Sequence, residues 1–204
     1  PGQIAPRLQN LGNHMFPVTT SSARAQLFFN QGMMLTYGFN HAEATRSFRE
    51  VIRLDPNCAM AYWGMALVLG PNINMAMAPE TEPQAYELSQ KAVALKEYAS
   101  EKEKAYIDAL AVRYSGEQKP DRNALDHAYA KAMRDLHHRY PADLDATTLY
   151  AEALMDLRPW NYWTRDMQPY PETKEVLGVL ESVLARNPNH PGAIHLYIHT
   201  VELS

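Results

Sequence analysis

The sequence predicts an all-α protein of consecutive helix pairs, and three observations predict it. Apolar residues recur at helical spacing, as in Ala44, Phe48 and Val51, which share one stripe of a helix. Pro56, Pro141 and Pro188 each follow such a stripe, and the residue before a proline avoids the α region, so each marks a helix end. Ten residues beyond each proline lies the centre of another apolar helix, at Ala66, Ala151 and Ile198. No stretch reads convincingly as a strand.

In chain order, Pro1 to Thr20 carries Pro, Gly and Asn with little periodicity and reads as an extended lead-in over residues 1–21. His14 to Val18 is expected to tuck against the first helix pair. Ser21 or Ser22 can cap a helix running to about Tyr37. Gly32 on its packing face suits a close helix approach, because glycine has no side chain. His41 to Leu54 and Ala61 to Leu69 follow as a tight pair. Pro83 to Tyr98 carries a stripe of Ala85, Ser89 and Ala92, and Ser100-Glu-Lys-Glu103 opens the next helix as a capping box. The remaining helices flank Pro141 and Pro188, which makes about nine in all.

Composition narrows the function classes. The net charge of −4 disfavours a nucleic-acid binder, whose footprint would be basic. No stretch approaches the roughly 18 apolar residues of a membrane span. The single cysteine, Cys58, excludes an intrachain disulfide framework and reads as a small buried residue. No Gly-rich phosphate loop or G-x-S-x-G elbow is present. Pro1 stands where a chain start would have Met, so a removed leader (an exported protein) or a fragment (otherwise cytoplasmic) is expected. The helix reaching Ser204 is expected to continue in a longer parent.

The segment His41 to Pro56 followed by Ala61 to Leu69 resembles a tetratricopeptide repeat, whose pattern ends in A-x3-F…P over roughly 34 residues. The three prolines are spaced 85 and 47 residues apart. These gaps are two repeats plus 17 and one plus 13, taking a repeat as roughly 34. The surplus falls in loop-like stretches at 70–79, 114–120 and 158–171, clustered on one edge. The resemblance covers residues 22–204 and implies an α-solenoid with a concave groove that takes a peptide or protein partner. By that resemblance Phe29, Met33, Trp63, Leu67, Thr148 and Glu152 line the groove.

The sharpest constellation for chemistry is His195, His199 and Glu202. At i, i+4 and i+7 of a helix they point the same way, a plausible ligand set for zinc or iron. It is not H-E-x-x-H, so a zincin-like protease is not supported. The register places them in the groove and leaves Ile194, Tyr197, Ile198 and Val201 as the packing face. A solvated polar face is the plainer alternative. A third set, Asn40, His41, Asn72, Asn74, Trp160 and Asn161, sits in three turns, either to touch a ligand or to cap turns and seal insertions. Three functions follow: a binding scaffold first, then a metal-binding protein or metalloenzyme, then a homo-oligomer that stacks through its terminal helix.

Overall fold

The computed structural model describes residues 2–202. Among them the regular structure is helical: α1 (Ala23–Tyr37), α2 (His41–Leu54), α3 (Ala59–Leu67), α4 (Glu82–Ala94), α5 (Glu101–Ala111), α6 (Arg122–Arg139), α7 (Leu144–Met155), α8 (Pro171–Arg186) and α9 (Pro191–Val201). Short 3-10 turns lie at Pro79–Thr81 and Lys96–Tyr98. The protein is therefore all-α. Among the described residues no helix is long and apolar enough to cross a membrane.

The chain forms two compact units, one of residues 1–70 and 77–120, the other of residues 71–76 and 121–204. In the first unit α1 packs on α2, α2 on α3, α3 on α4 and α5, and α4 on α5. In the second, α6 packs on α7, α7 on α8 and α9, and α8 on α9.

Local chemistry explains the boundaries. Ser22 caps α1 by accepting from the Ala25 N–H at 3.2 Å, and Asp121 and Asp143 cap α6 and α7 in the same way. Ser100 and Glu103 form the expected capping box on α5. Phe39 takes a left-handed φ of 55° just past α1, which turns the chain into α2.

Phe48 is the pivot of the first unit. A Cβ built on Gly32 would lie 2.5 Å from its ring and one on Gly64 2.7 Å, so glycine is required on both flanking helices. Phe29 packs obliquely against the Phe48 ring, with ring centroids 5.3 Å apart. Cys58 is buried, and burial pushes its thiol up to about 12, so it is an inert packing residue.

The packing face expected for α9 is corrected. Ile194 and Ile198 are 38 % and 50 % exposed, whereas Ala193, Leu196 and Thr200 are buried. Those three follow the i, i+3, i+7 stripe and face α7 and α8. The Thr200 hydroxyl lies 3.5 Å from Met155 Sδ. Helical periodicity allows either stripe; the neighbouring helices choose the smaller residues.

Candidate functional site

In the first unit the lead-in is part of the fold, and glutamines of α1 hold it. Gln31 donates from Nε2 to the Pro6 carbonyl and accepts at Oε1 from the Leu8 N–H, both at 2.9 Å. Gln26 repeats the pattern ten residues along the lead-in. Its Nε2 donates to the Phe16 carbonyl at 2.8 Å, and its Oε1 accepts from the Val18 N–H at 2.9 Å. A side-chain carboxamide carries one donor and one acceptor face, so each grips a carbonyl and the N–H two residues on, as a neighbouring strand would. Asn30 adds a bond from the Phe16 N–H at 3.1 Å.

Carboxylates take the remaining donors. Glu103 accepts from the Thr19 N–H at 2.6 Å and from its hydroxyl at 2.5 Å. Its position as the third residue of α5 suits a negative charge at a helix start. Glu50 accepts from the Ile4 N–H at 2.7 Å while paired with Arg53 at 2.6 Å. The Arg53 hydrogen bond, helped by the Ile4 N–H and opposed by burial, holds the Glu50 carboxyl below the usual carboxylate range.

Phe16 anchors the segment. Its ring is buried against Phe29, Trp63 and Tyr106, with centroids 5.5, 5.9 and 5.4 Å away. Trp63 donates from Nε1 to the Tyr106 carbonyl at 3.1 Å, so its polar atom is satisfied inside the core.

The expected groove residues are corrected accordingly. Phe29, Met33, Trp63, Leu67 and Thr148 are buried with the lead-in in place. Phe16 covers Phe29 and Trp63, and the Thr148 hydroxyl turns back to the Leu144 carbonyl at 2.8 Å. Only Glu152 is half-buried. The Gln26, Asn30, Gln31 and Glu103 clamps were not anticipated, Glu103 having been read as a capping residue alone. Polar residues abutting the buried stripe of α1 were the available signal.

The expected loop residues divide. Asn40 is the N-cap of α2, and His41 is its first residue, its imidazole pKa lowered by burial. Asn72 closes its own turn, accepting from the Asn74 and Met75 N–H groups at 2.9 and 3.1 Å, and Asn74 is exposed. Asn161 is exposed and donates its N–H to the Arg158 carbonyl. These asparagines act in turn chemistry. Trp160 does more.

The second unit places His195, His199 and Glu202 in one row on α9 and the following residue. His195 Nε2 and His199 Nε2 lie 2.9 Å apart, and His199 Nδ1 lies 2.6 Å from Glu202 Oε1. The edge of Trp160 meets the His199 ring at 5.2 Å. Trp160 reaches it with a left-handed φ of 61°, an unfavourable conformation for a bulky residue. The loop is held by Trp163, whose Nε1 donates to the Thr200 carbonyl at 2.7 Å, and by the buried Tyr162. Burial, followed by the charges of Asp156 and Glu152, raises the Tyr162 phenol well above its ordinary range.

His190 does not extend this row. It caps α9, its Nδ1 accepting from the Ala193 N–H at 3.2 Å. That assigns the ring proton to Nε2, which faces Asp145 Oδ1 at 3.3 Å. The pair His137–His138 on α6 is also distinct. Burial and then the His138 charge lower the His137 pKa.

No family model matches the chain, and no curated protein or solved structure matches it.

Proposed function

We propose that the protein is a binding scaffold of tetratricopeptide-repeat type, a solenoid of helical hairpins that holds a non-helical peptide segment of a protein partner. The supporting observation is the paired carboxamide clamp, in which Gln31 and Gln26 each take a carbonyl and the N–H two residues later. This grip uses only main-chain groups and therefore tolerates many sequences. Selectivity comes from the aromatic pocket of Phe29, Trp63 and Tyr106, which takes one ring. The matching ligand carries an aromatic residue, then a proline that lacks an N–H to satisfy, then two residues whose N–H groups meet Gln26 and Glu103.

The lead-in occupies this site, so a partner segment competes with it. In the Phe16→Ala variant of the whole 204-residue chain the anchor is lost while the pocket remains. A fluorescent peptide of residues 13–20 should bind this variant at least tenfold tighter than wild type, about 1.4 kcal/mol. The same peptide with alanine for its phenylalanine should not bind. Equal polarisation signals for both peptides would remove the proposal.

A further inference from the structure

We infer that His195 and His199 form a binding site for a divalent transition-metal ion through their Nε2 atoms, with Glu202 positioning His199 instead of ligating. The site lies in the second unit and stands apart from the peptide clamp. Sequence spacing alone makes all three residues ligands, and the geometry separates their roles.

Glu202 sits on the far nitrogen of His199. A carboxylate accepts, so His199 Nδ1 carries the proton and Nε2 keeps its lone pair. Carboxylate–imidazole–metal rows use this arrangement to set the ring's tautomer and orientation and to raise its basicity as a ligand. The lone pair then points at His195 Nε2, 2.9 Å away. With metal–nitrogen bonds of about 2.05 Å, that separation subtends about 90° at an ion beside the pair and equidistant from both nitrogens, the cis angle of square-planar and octahedral ions. A tetrahedral zinc ion needs the two nitrogens about 0.4 Å further apart, within reach of small side-chain rotations. On binding, the proton that His195 holds on Nε2 moves to its Nδ1. Both rings stay neutral and each offers one lone pair.

The surroundings fit an open site. Two protein ligands leave the remaining positions to water or to a small ligand, unlike a closed structural centre. Trp160 covers one flank of His199 from the 158–171 insertion, at a left-handed backbone conformation that a bulky residue rarely adopts. Imidazole donors with open positions suit copper(II), nickel(II), iron(II) and zinc, not magnesium or calcium.

The test is calorimetric titration of the metal-stripped 204-residue protein with zinc and copper(II) chlorides, followed in parallel by tryptophan fluorescence. One ion per chain is expected, with copper(II) quenching an emission component that Trp160→Phe removes without altering stoichiometry. His195→Ala and His199→Ala should each weaken binding at least 100-fold. Glu202→Gln, which spares both ligands, should weaken it 10- to 100-fold. His138→Ala, at the histidine pair on α6, should change nothing. Unchanged affinity in Glu202→Gln assigns that residue no positioning role. Binding that survives in the His195/His199 double variant, or disappears in His138→Ala, overturns the site.

Discussion

The two units pack similar helix pairs but use one helix of each in opposite ways. On α1 of the first unit the polar side chains that border the packing stripe, Gln26, Asn30 and Gln31, are spent on the protein's own lead-in. On α9 of the second unit the corresponding border residues, His195 and His199, hydrogen-bond along their own helix, and Trp160 from the insertion packs on His199. The first arrangement is a finished contact. Its donors and acceptors are matched, and its aromatic pocket is filled by Phe16. The second has two ring nitrogens 2.9 Å apart, on a helix flanked by an exposed tryptophan. A helix border can therefore hold its own chain or hold a ligand, and the residue types there decide which.

The strongest way to break this contrast is through the first unit's core. Phe48→Ala should cost about 3–5 kcal/mol, because Gly32 and Gly64 leave no side chains to fill the void. Chemical denaturation would register it as a lower midpoint at unchanged slope, and a loss under 1 kcal/mol would mean that the helices collapse onto each other. Next in size, Gln26→Ala should cost about 1–3 kcal/mol by orphaning the Phe16 carbonyl and the Val18 N–H. Amide exchange at Val18 should accelerate in that variant; unaltered exchange would show that the clamp does not hold the segment.

A smaller effect sharpens the electrostatic side. The Glu50 pKa is lowered in the folded protein, so its contribution is present above the ordinary value of 4.5 and lost as pH falls through the folded value. Thermal melts of wild type should therefore lose stability below about pH 4.5, and Glu50→Gln should flatten part of that slope. Parallel slopes in the two proteins would assign acid sensitivity to other carboxylates. The smallest effect is expected in the second unit. Glu202→Gln should change stability by less than about 0.5 kcal/mol, since the carboxylate itself is exposed. A loss above 1 kcal/mol would make the row a structural feature like the clamp.

Much of the fold was legible because helices announce themselves locally. The Ser22 cap, the Ser100–Glu103 box and the prolines after α2, α6 and α8 act within a few residues of where they stand. Gly32 was legible for the same reason, as a missing side chain on an apolar face. The groove was not. Phe29 and Trp63 carry nothing to say whether solvent, a partner or Phe16 lies over them. The answer depends on residues 13 and 47 positions away in the chain. The His195–His199 pairing followed from i, i+4 spacing, but the part played by Glu202 needed the ring orientations.

Periodicity, caps and prolines by themselves determined where the helices begin and end, since their energetics involve neighbours one turn away. Only the tertiary structure decided which stripe of α9 is buried, what fills the aromatic pocket of the first unit, and which nitrogen of His199 faces its neighbour. Those outcomes depend on packing and hydrogen bonds between groups distant in sequence, where several arrangements share one local pattern and long-range complementarity selects among them.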